Sequence, residues 1–204
     1  MTDPTPRHLS SLLSELQGFA VTRERVSLDN LLLAFHERGF GFLLFFLGLP
    51  MGLPIPVPPG VNIVLALPLI FLTAQQAMGR HTPWFPKKMR HKTLSTGKIL
   101  PVLSAAGSVV GKMEILLKPR MGWVTQGVFS NLIGLAGFVM ALSICVPLPL
   151  TNTVPSFGIA LMAAGVLMRD GLAVLVGMVV GLLWVVLLLF LGQAGLRALL
   201  DMLF

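Results

Sequence analysis

The sequence predicts an all-α integral membrane protein with about five apolar segments. Of its 204 residues, 55% are hydrophobic and only 11% are charged, whereas roughly 25% of the residues in soluble domains are charged. Three stretches, Gly39 to Gly79, Met121 to Met168 and Gly171 to Leu196, contain no Asp, Glu, Lys or Arg. Because about 20 helical residues cross the bilayer core, the first two stretches have room for about two segments each, and the third for one.

The amino-terminal segment, residues 1–38, mixes both signs of charge and lacks the compact apolar core of a cleavable signal peptide. We therefore expect it to be retained. Within it, "SLDNLLLAFHERG" places its leucines on one face of a helix that Ser27 can cap. This pattern predicts an amphipathic helix that lies along the cytoplasmic surface of the membrane.

Residues 39–79 form the first predicted membrane hairpin. An apolar arm from Gly39 to about Leu49 is followed by a proline-rich break and a second arm from about Val61 to Met78. Each proline removes a backbone donor, and carbonyl groups stranded in lipid cost several kcal/mol each. The break must therefore be buried in protein or wetted by a cavity. Its prolines are Pro54, Pro56, Pro58 and Pro59.

Residues 80–122 form a basic section that orients the chain. Nine of the 15 Lys and Arg residues lie between Arg80 and Arg120, and four others precede the first apolar stretch. The positive-inside rule assigns both regions to the cytoplasm, which predicts a multi-pass membrane protein with a cytoplasmic amino terminus. The uncharged stretch from Ile99 to Gly111 is too short to cross, so it predicts an interfacial helix.

Residues 123–168 form the second predicted hairpin, and residues 169–204 supply a final membrane helix. The second hairpin has a long arm from about Val124 to Val146, the break "PLPLTNTVPS" and a shorter arm from about Phe157 to Met168. We assign three prolines to this break: Pro147, Pro149 and Pro155.

The two hairpins are similar enough to predict an internal repeat at an offset of about 90 residues. Both breaks contain Pro-x-Pro, and both second arms end in arginine, at Arg80 and Arg169. Arms too short to cross alone favour re-entrant hairpins, while the alternative is ordinary turns between full helices just outside the membrane. Hairpins that return to the cytoplasmic side make the repeat parallel, whereas a spanning segment near Ile99 would invert it.

Several motifs also resemble the bacterial ExoD family, which is named for exopolysaccharide synthesis. The resemblance rests on the order of "RVSLDNLLLAFHERGFGFLLFFLGLP", "LPIPVPPG", "GRHTPWFP", "KPRMGWVT", "PLPLTNTVPS" and "GVLMRDG" over about residues 8 to 200. It implies a small inner-membrane protein connected with exopolysaccharide production and tolerance of alkaline conditions, and it implies no particular catalytic chemistry. One departure is Met168, at a position where family members often have an acidic residue.

Uncharged polar residues in the apolar stretches are the candidates for a pore or solute-binding site. Their oxygens suit a cation or a neutral polar solute, and the alternative is that they only cap the broken helix ends. They are Asn62, Gln75, Gln76, Thr151, Asn152, Thr153 and Ser156.

Arg169 and Asp170 form a charged pair between apolar stretches and are a candidate gating pair. The alternative is a solvated turn in which Asp170 caps the following helix. The sequence has no catalytic triad, phosphate loop or metal-binding spacing, and a single cysteine, Cys145. We therefore expect no enzyme activity, cofactor or metal.

Two functions remain as alternatives. The first is a small transporter or channel for an ion or polar solute, because paired interrupted segments are typical of transport sites. The second is a non-transporting membrane partner of a polysaccharide-assembly complex. The expected partners are the lipid bilayer, anionic lipid head groups, polysaccharide-synthesis proteins and a second copy in a homodimer. Nucleic acid is not expected, since the sequence has no base-stacking module.

Overall fold

The computed structural model is mainly α-helical, as the sequence predicts. It describes residues 14, 18, 25–27, 39–52, 61–86, 93–95, 111–112, 115–146 and 152–203. The elements within these ranges, in chain order, are β1 (Arg25–Ser27), α1 (Gly39–Gly52), α2 (Val61–Ala77), β2 (Thr93–Ser95), a 3-10 helix (Gly122–Thr125), α3 (Val128–Ile144), α4 (Thr153–Met168) and α5 (Gly171–Leu203).

The helices fall into two length classes. The first four contain 14 to 17 residues and are therefore about 21 to 26 Å long. The stretch Gly171–Ala194 of α5 has a mean hydropathy of 3.0 over its most apolar window, and among the described helices it alone is long and apolar enough to cross a membrane. Its 24 residues span about 36 Å.

The ends of two helices differ from the sequence prediction. Helix α1 continues through Pro50 to Gly52, beyond the expected end near Leu49. The assignment of Pro155 to the second break was wrong, because α4 begins at Thr153. Backbone N–H groups in the first turn of a helix have no intrahelical partner, so a proline costs little there. The other predicted break prolines, Pro54, Pro56, Pro58, Pro59, Pro147 and Pro149, lie outside the described residues.

A pair of short strands was not expected from the sequence. Strands β1 and β2 are antiparallel, with Arg25 opposite Ser95 and Ser27 opposite Thr93. Their pairing joins the amino-terminal segment to the basic section, two regions that the charge pattern assigns to one side of the membrane. The predicted amphipathic helix after Ser27 and most of the interfacial helix near Ile99 lie outside the described residues.

The four shorter helices pack as two antiparallel pairs. Helix α1 lies along α4, with Gly41 against Ala163 and Leu167 near the start of α1. Helix α2 lies along α3, with the backbone at Gly134 directly against Gln76 and Ala77. The fully buried side chains at the centre include Leu69, Leu72, Met140, Ile159 and Met162.

Helix α5 packs mainly on α4. The two helices approach closely at Gly158 and Gly177, where an added Cβ on either residue would meet the backbone of the other within 2.9 Å. Beyond Val185, α5 exposes large apolar side chains, among them Val186, Leu189 and Phe190. The end of the bundle where α2 and α4 end and α3 and α5 begin carries Arg80, Arg120 and Arg169, and we call it the basic end.

We predict that Gly134→Ala destabilises the protein by about 1 to 3 kcal/mol, the usual cost of overpacking a core. An added Cβ would lie 2.6 Å from the Gln76 carbonyl carbon and 2.8 Å from the Ala77 Cα, atoms that cannot move without displacing α2. The apparent melting temperature of the detergent-purified protein measures this effect.

Gly192→Ala is the matched control, because a Cβ at Gly192 meets nothing within 4 Å. In an exposed helix the same change adds about 0.5 to 1 kcal/mol of stability. Equal melting temperatures for the two variants would contradict the backbone contact between α2 and α3.

Candidate functional site

A small cavity lies where α1, α2, α3 and α4 meet. Its volume is about 10 Å³, close to the minimum that accommodates one water molecule. Helix α2 contributes the polar residues Thr73 and Gln76, and the other helices contribute mainly apolar side chains and glycine. The apolar lining residues include Leu44, Ile133, Met162 and Val166. We call this space the central cavity.

Gln76 is the most unusual polar residue in the central cavity. Its side chain is only 2% exposed. The Nε2 atom donates a hydrogen bond to the Ser130 hydroxyl over 3.3 Å, but Oε1 has no partner among the described residues. A buried acceptor without a partner costs about 1 to 3 kcal/mol, so this amide needs a physical explanation.

Thr73 lies one turn before Gln76 on the same helix face. It is fully buried, and its hydroxyl is 2.7 Å from the Leu69 carbonyl oxygen, to which it donates. With its proton directed to the backbone, the Thr73 oxygen keeps lone pairs that can accept hydrogen bonds. The hydroxyl also lies 3.2 Å from the Ile70 carbonyl oxygen, and the Thr73 methyl group packs against Gly137 of α3.

Gln75, a candidate from the sequence, has a different environment. Its Oε1 accepts a hydrogen bond from the Trp84 backbone N–H over 2.7 Å, and its Nε2 donates to the Trp84 carbonyl over 3.1 Å. The Arg80 guanidinium lies 5.7 Å from the centre of the Trp84 ring. Gln75 therefore fastens the segment that follows α2 back onto the helix, and both of its amide atoms are occupied.

The remaining candidates that the structure describes do not line the central cavity. Ser156 is fully buried in the first turn of α4, and its hydroxyl has no partner among the described residues. Asn152 precedes it, is also buried, and its backbone carbonyl accepts from the Ser156 N–H. Ser156 lies three residues before Ile159, the first α4 residue that lines the cavity. Asn62 and Thr153 are half-buried, and Thr151 lies outside the described residues.

Asp170 anchors the basic end. Its side chain is 1% exposed, and Oδ1 accepts from the backbone N–H groups of Leu172 and Ala173, so Asp170 caps α5 as the sequence suggested. Oδ2 accepts from the Lys118 N–H over 3.1 Å and lies 3.8 Å from Arg120 Nε. The carboxylate therefore holds the segment before the 3-10 helix against the turn between α4 and α5.

Arg169, the other member of the predicted gating pair, is exposed and has a φ of 54°. Its left-handed backbone ends α4, and its N–H donates to the Val166 carbonyl. The ion pair that Asp170 makes in the described part of the chain is with Arg120. Gating by Arg169 and Asp170 stays a prediction.

Sequence reasoning missed the partners of these residues. Thr73 and Gln76 carry a detectable signal, since polar residues three apart in an apolar helix share a face. The contacts from Gln76 to Ser130 and from Asp170 to Arg120 join distant parts of the chain, so no local pattern indicates them. Within the described residues, no group of three His, Cys, Asp or Glu side chains could hold a metal ion.

Comparison with known proteins gives a family match over most of the chain. A family model described as "Exopolysaccharide synthesis, ExoD" matches residues 9–190. Protein ExoD of Rhizobium meliloti is 30% identical over 170 residues, which cover 81% of this chain and 68% of that protein. An uncharacterized protein of Synechocystis is 34% identical over 180 residues, which cover 86% of this chain and 84% of that protein. No solved structure matches.

We predict that Asp170→Ala lowers stability by about 2 to 4 kcal/mol, because the change removes a helix cap and leaves the backbone N–H groups of Lys118, Leu172 and Ala173 without their acceptor. The Lys118 segment should detach at the same time, so limited trypsin digestion should cleave faster after Arg120; the bond between Lys118 and Pro119 resists trypsin. Melting temperature and the digestion time course provide the two measurements.

Asp201→Ala is the control, because it removes the same carboxylate from an exposed position in α5. It should leave both measurements unchanged. If Asp170→Ala digests at the wild-type rate, Asp170 does not hold this segment.

Proposed function

Since the chain belongs to the ExoD family, which is linked to exopolysaccharide synthesis, we propose that it is a bacterial inner-membrane protein that moves a small ion or polar solute. The observation that carries this proposal is the buried Gln76 amide, whose Oε1 has no partner among the described residues, in a cavity between two halves of the helical bundle. The proposal includes a role in tolerance of alkaline conditions, which the family resemblance implies.

Exposed apolar side chains support the placement in a membrane. Along α3 they recur every three or four residues and form a stripe of Leu132, Leu135, Val139 and Leu142 on its outer face. Helix α5 carries a similar stripe. Contiguous apolar surface of this extent is rare on soluble monomers and is suited to contact with lipid tails.

The charged residues support the orientation. Arg80, Arg120 and Arg169 lie at the basic end, and Arg197 and Asp201 follow the apolar stretch of α5. Helix α5 therefore has the length and flanking charges of a crossing that begins on the cytoplasmic side. Trp84 and Trp123 are exposed beside the basic end, where tryptophan suits the membrane interface.

Helix length supports re-entrant hairpins. Helices α1 to α4 are shorter than the hydrocarbon core, which is about 30 Å thick. Gly41, Gln76, Ile133 and Val166 line one cavity, so α1 and α3 begin, and α2 and α4 end, at the same end of the bundle. Each hairpin then enters and returns from the basic end.

The packing supports a parallel internal repeat. If the two hairpins are interchanged, α1 takes the place of α3, and α2 takes the place of α4. The contact between α1 and α4 then becomes the contact between α3 and α2, and both contacts are extensive. Gly41 and Gly134 each face the final turn of the partner helix. The number of residues from Gly41 to Gly134 equals the number from Pro54 to Pro147. A twofold pseudo-axis along the bundle would relate the hairpins.

The left-handed ends of the second arms agree with this repeat. Gly79 has a φ of 82° and Arg169 has a φ of 54°. The backbone forms the same pair of hydrogen bonds at both ends. The N–H groups of residues 79 and 80 donate to the carbonyl oxygens of Gln76 and Gln75, respectively. In the same way, the N–H groups of residues 169 and 170 donate to those of Val166 and Gly165. The central cavity then lies at the repeat interface, where transporters bind their substrates.

The second candidate is a non-transporting partner of a polysaccharide-assembly complex. It is favoured by the exposed side chains of Lys118, Arg120 and Arg169, which Asp170 and the short turns hold together at the basic end. A cytoplasmic acidic surface on another protein could bind there. Copurification of a polysaccharide-synthesis protein that is lost after charge reversal of these residues would favour this candidate.

We predict that the two ends of α5 are labelled from opposite sides of the membrane. In a Cys145→Ala background, Arg197→Cys should react with an impermeant maleimide in intact spheroplasts, and Arg169→Cys should react only after permeabilisation. Labelling of both positions from the same side would exclude a crossing by α5.

We predict that proteoliposomes show solute or ion flux that Gln76→Leu reduces at least tenfold, because leucine removes the polar group from the repeat interface while nearly preserving volume. Dye-based assays with a panel of cations and light scattering with neutral solutes measure the flux. Gln126→Leu, the same exchange at an exposed position, should retain wild-type flux. If the wild type moves none of the tested solutes, the proposal fails.

A further inference from the structure

Three basic residues are brought together at the basic end by contacts of the backbone. The Lys118 N–H donates to Asp170 Oδ2 over 3.1 Å, and the first N–H of α5 donates to the Arg120 carbonyl oxygen over 2.7 Å. A Cβ added to Gly122 would lie 3.9 Å from the Arg169 Cβ, so the Arg169 side chain begins beside the 3-10 helix. We call the three basic residues, Lys118, Arg120 and Arg169, the basic cluster.

Asp170 holds Arg120 in place while its own charge stays covered. The Asp170 side chain is 1% exposed and its Oδ2 lies 3.8 Å from Arg120 Nε, whereas the Arg120 side chain is 50% exposed. A guanidinium that is held at Nε keeps its two terminal amino groups for other acceptors. Among the described residues, Asp170 is the acidic group that contacts the basic cluster. The cluster therefore presents a net positive charge to its surroundings.

The membrane placement proposed above puts the basic cluster at the level of the lipid head groups. The apolar stretch of α5 begins at Gly171, directly after Arg169 and Asp170. Trp123 is 59% exposed, and its ring lies 5.0 Å from the Phe129 ring, centre to centre. Tryptophan is enriched where the hydrocarbon core meets the head groups. An exposed aromatic surface thus lies beside the basic cluster at this level.

The two neighbouring surfaces together define the class of ligand. Guanidinium groups bind phosphate oxygens through paired N–H donors. A free anion would use the charges but not the exposed apolar surface of Trp123, Val128 and Phe129. An anionic phospholipid uses both surfaces, because its phosphate is joined to acyl chains.

We propose that the basic cluster binds the head group of an anionic phospholipid, with the phosphate on Arg120 and Arg169 and the upper part of an acyl chain on Trp123. Lys118 adds attractive charge. The proposal rests on the membrane placement in the proposed function and does not depend on transport. It assigns to lipid a surface that an acidic protein would bind under the second candidate function.

The test uses phospholipids with brominated acyl chains, which quench the fluorescence of a nearby tryptophan. The reporter protein keeps Trp123 and carries phenylalanine in place of Trp84 and Trp184, the other two tryptophans. It is placed in phosphatidylcholine liposomes that contain a small fraction of one brominated lipid. The association constant obtained from quenching should be about fivefold higher for brominated phosphatidylglycerol than for brominated phosphatidylcholine, the effect of one engaged cation at an anionic surface.

Substitutions locate this preference. Arg120→Gln combined with Arg169→Gln should remove it, and Arg169→Gln alone, which leaves the contact between Asp170 and Arg120 in place, should lower it. Arg197→Gln is the matched control, since it removes the same charge from an exposed position after the apolar stretch of α5, and it should retain the preference. Arg80→Gln removes a charge from the basic end outside the cluster. If it lowers the preference as much as the double variant does, the attraction is diffuse and the site does not exist.

The remaining outcomes separate lipid from other occupants and from the membrane placement. Equal quenching of Trp123 by both brominated lipids would overturn the lipid site and leave the placement intact, whereas quenching by neither lipid would contradict the placement itself. Loss of the preference when inorganic phosphate replaces chloride at equal ionic strength would assign the cluster to a free anion. Copurification of an acidic protein that depends on Arg120 and Arg169, without any lipid preference, would assign it to a protein partner.

Discussion

The arrangement of this bundle depends on direct contact between helix backbones. At Gly134 the α3 backbone touches α2 at Gln76 and Ala77, and at Gly158 and Gly177 the backbones of α4 and α5 touch each other. A side chain at any of these positions would push the helices apart. Because dispersion contacts weaken steeply with separation, even a small displacement would loosen the apolar packing along each pair.

The same contacts determine where polar atoms can be placed. Gly134 draws the end of α2 against α3, which brings Gln76 within 3.3 Å of the Ser130 hydroxyl and buries its amide. The central cavity lies beside it, where the four shorter helices converge. A buried amide beside this residual volume is thus a consequence of backbone packing, and its chemistry is set by the residue that the chain places at position 76.

The sequence predicted the helical class and most helix positions, because charge-free stretches and proline clusters are visible without any tertiary information. The second arm from Val61 matches α2 within a residue. The start of α4 was predicted near Phe157, later than the observed start at Thr153, because Pro155 was assigned to the break. A proline fits the first turn of a helix. The strand pair and the Asp170 contact with Arg120 depend on residues far apart in the chain, and periodicity carries no information on them.

The candidate site was predicted only in part, for a related reason. Gln75 and Gln76 are adjacent and equally polar, yet one fastens Trp84 and the other borders the cavity, because consecutive helical residues point about 100° apart. The sequence alone does not show which glutamine has which role, because the roles depend on what packs against each face of α2.

The segments that follow α2 and α4 differ in chemistry. Gln75 and Gly165 each lie four residues before a left-handed residue, Gly79 and Arg169 respectively. After α2, the long Gln75 side chain reaches back and holds the following loop at Trp84. After α4, a Cβ at Gly165 would lie 2.7 Å from Val174, so the absence of a side chain there admits α5. Helix α5 covers the outer face of α4, whereas α2 exposes Val64, Leu67 and Phe71 on its own outer face. A single additional helix therefore makes the surroundings of α2 and α4 unequal: the outer face of α4 is covered by protein, and that of α2 is exposed.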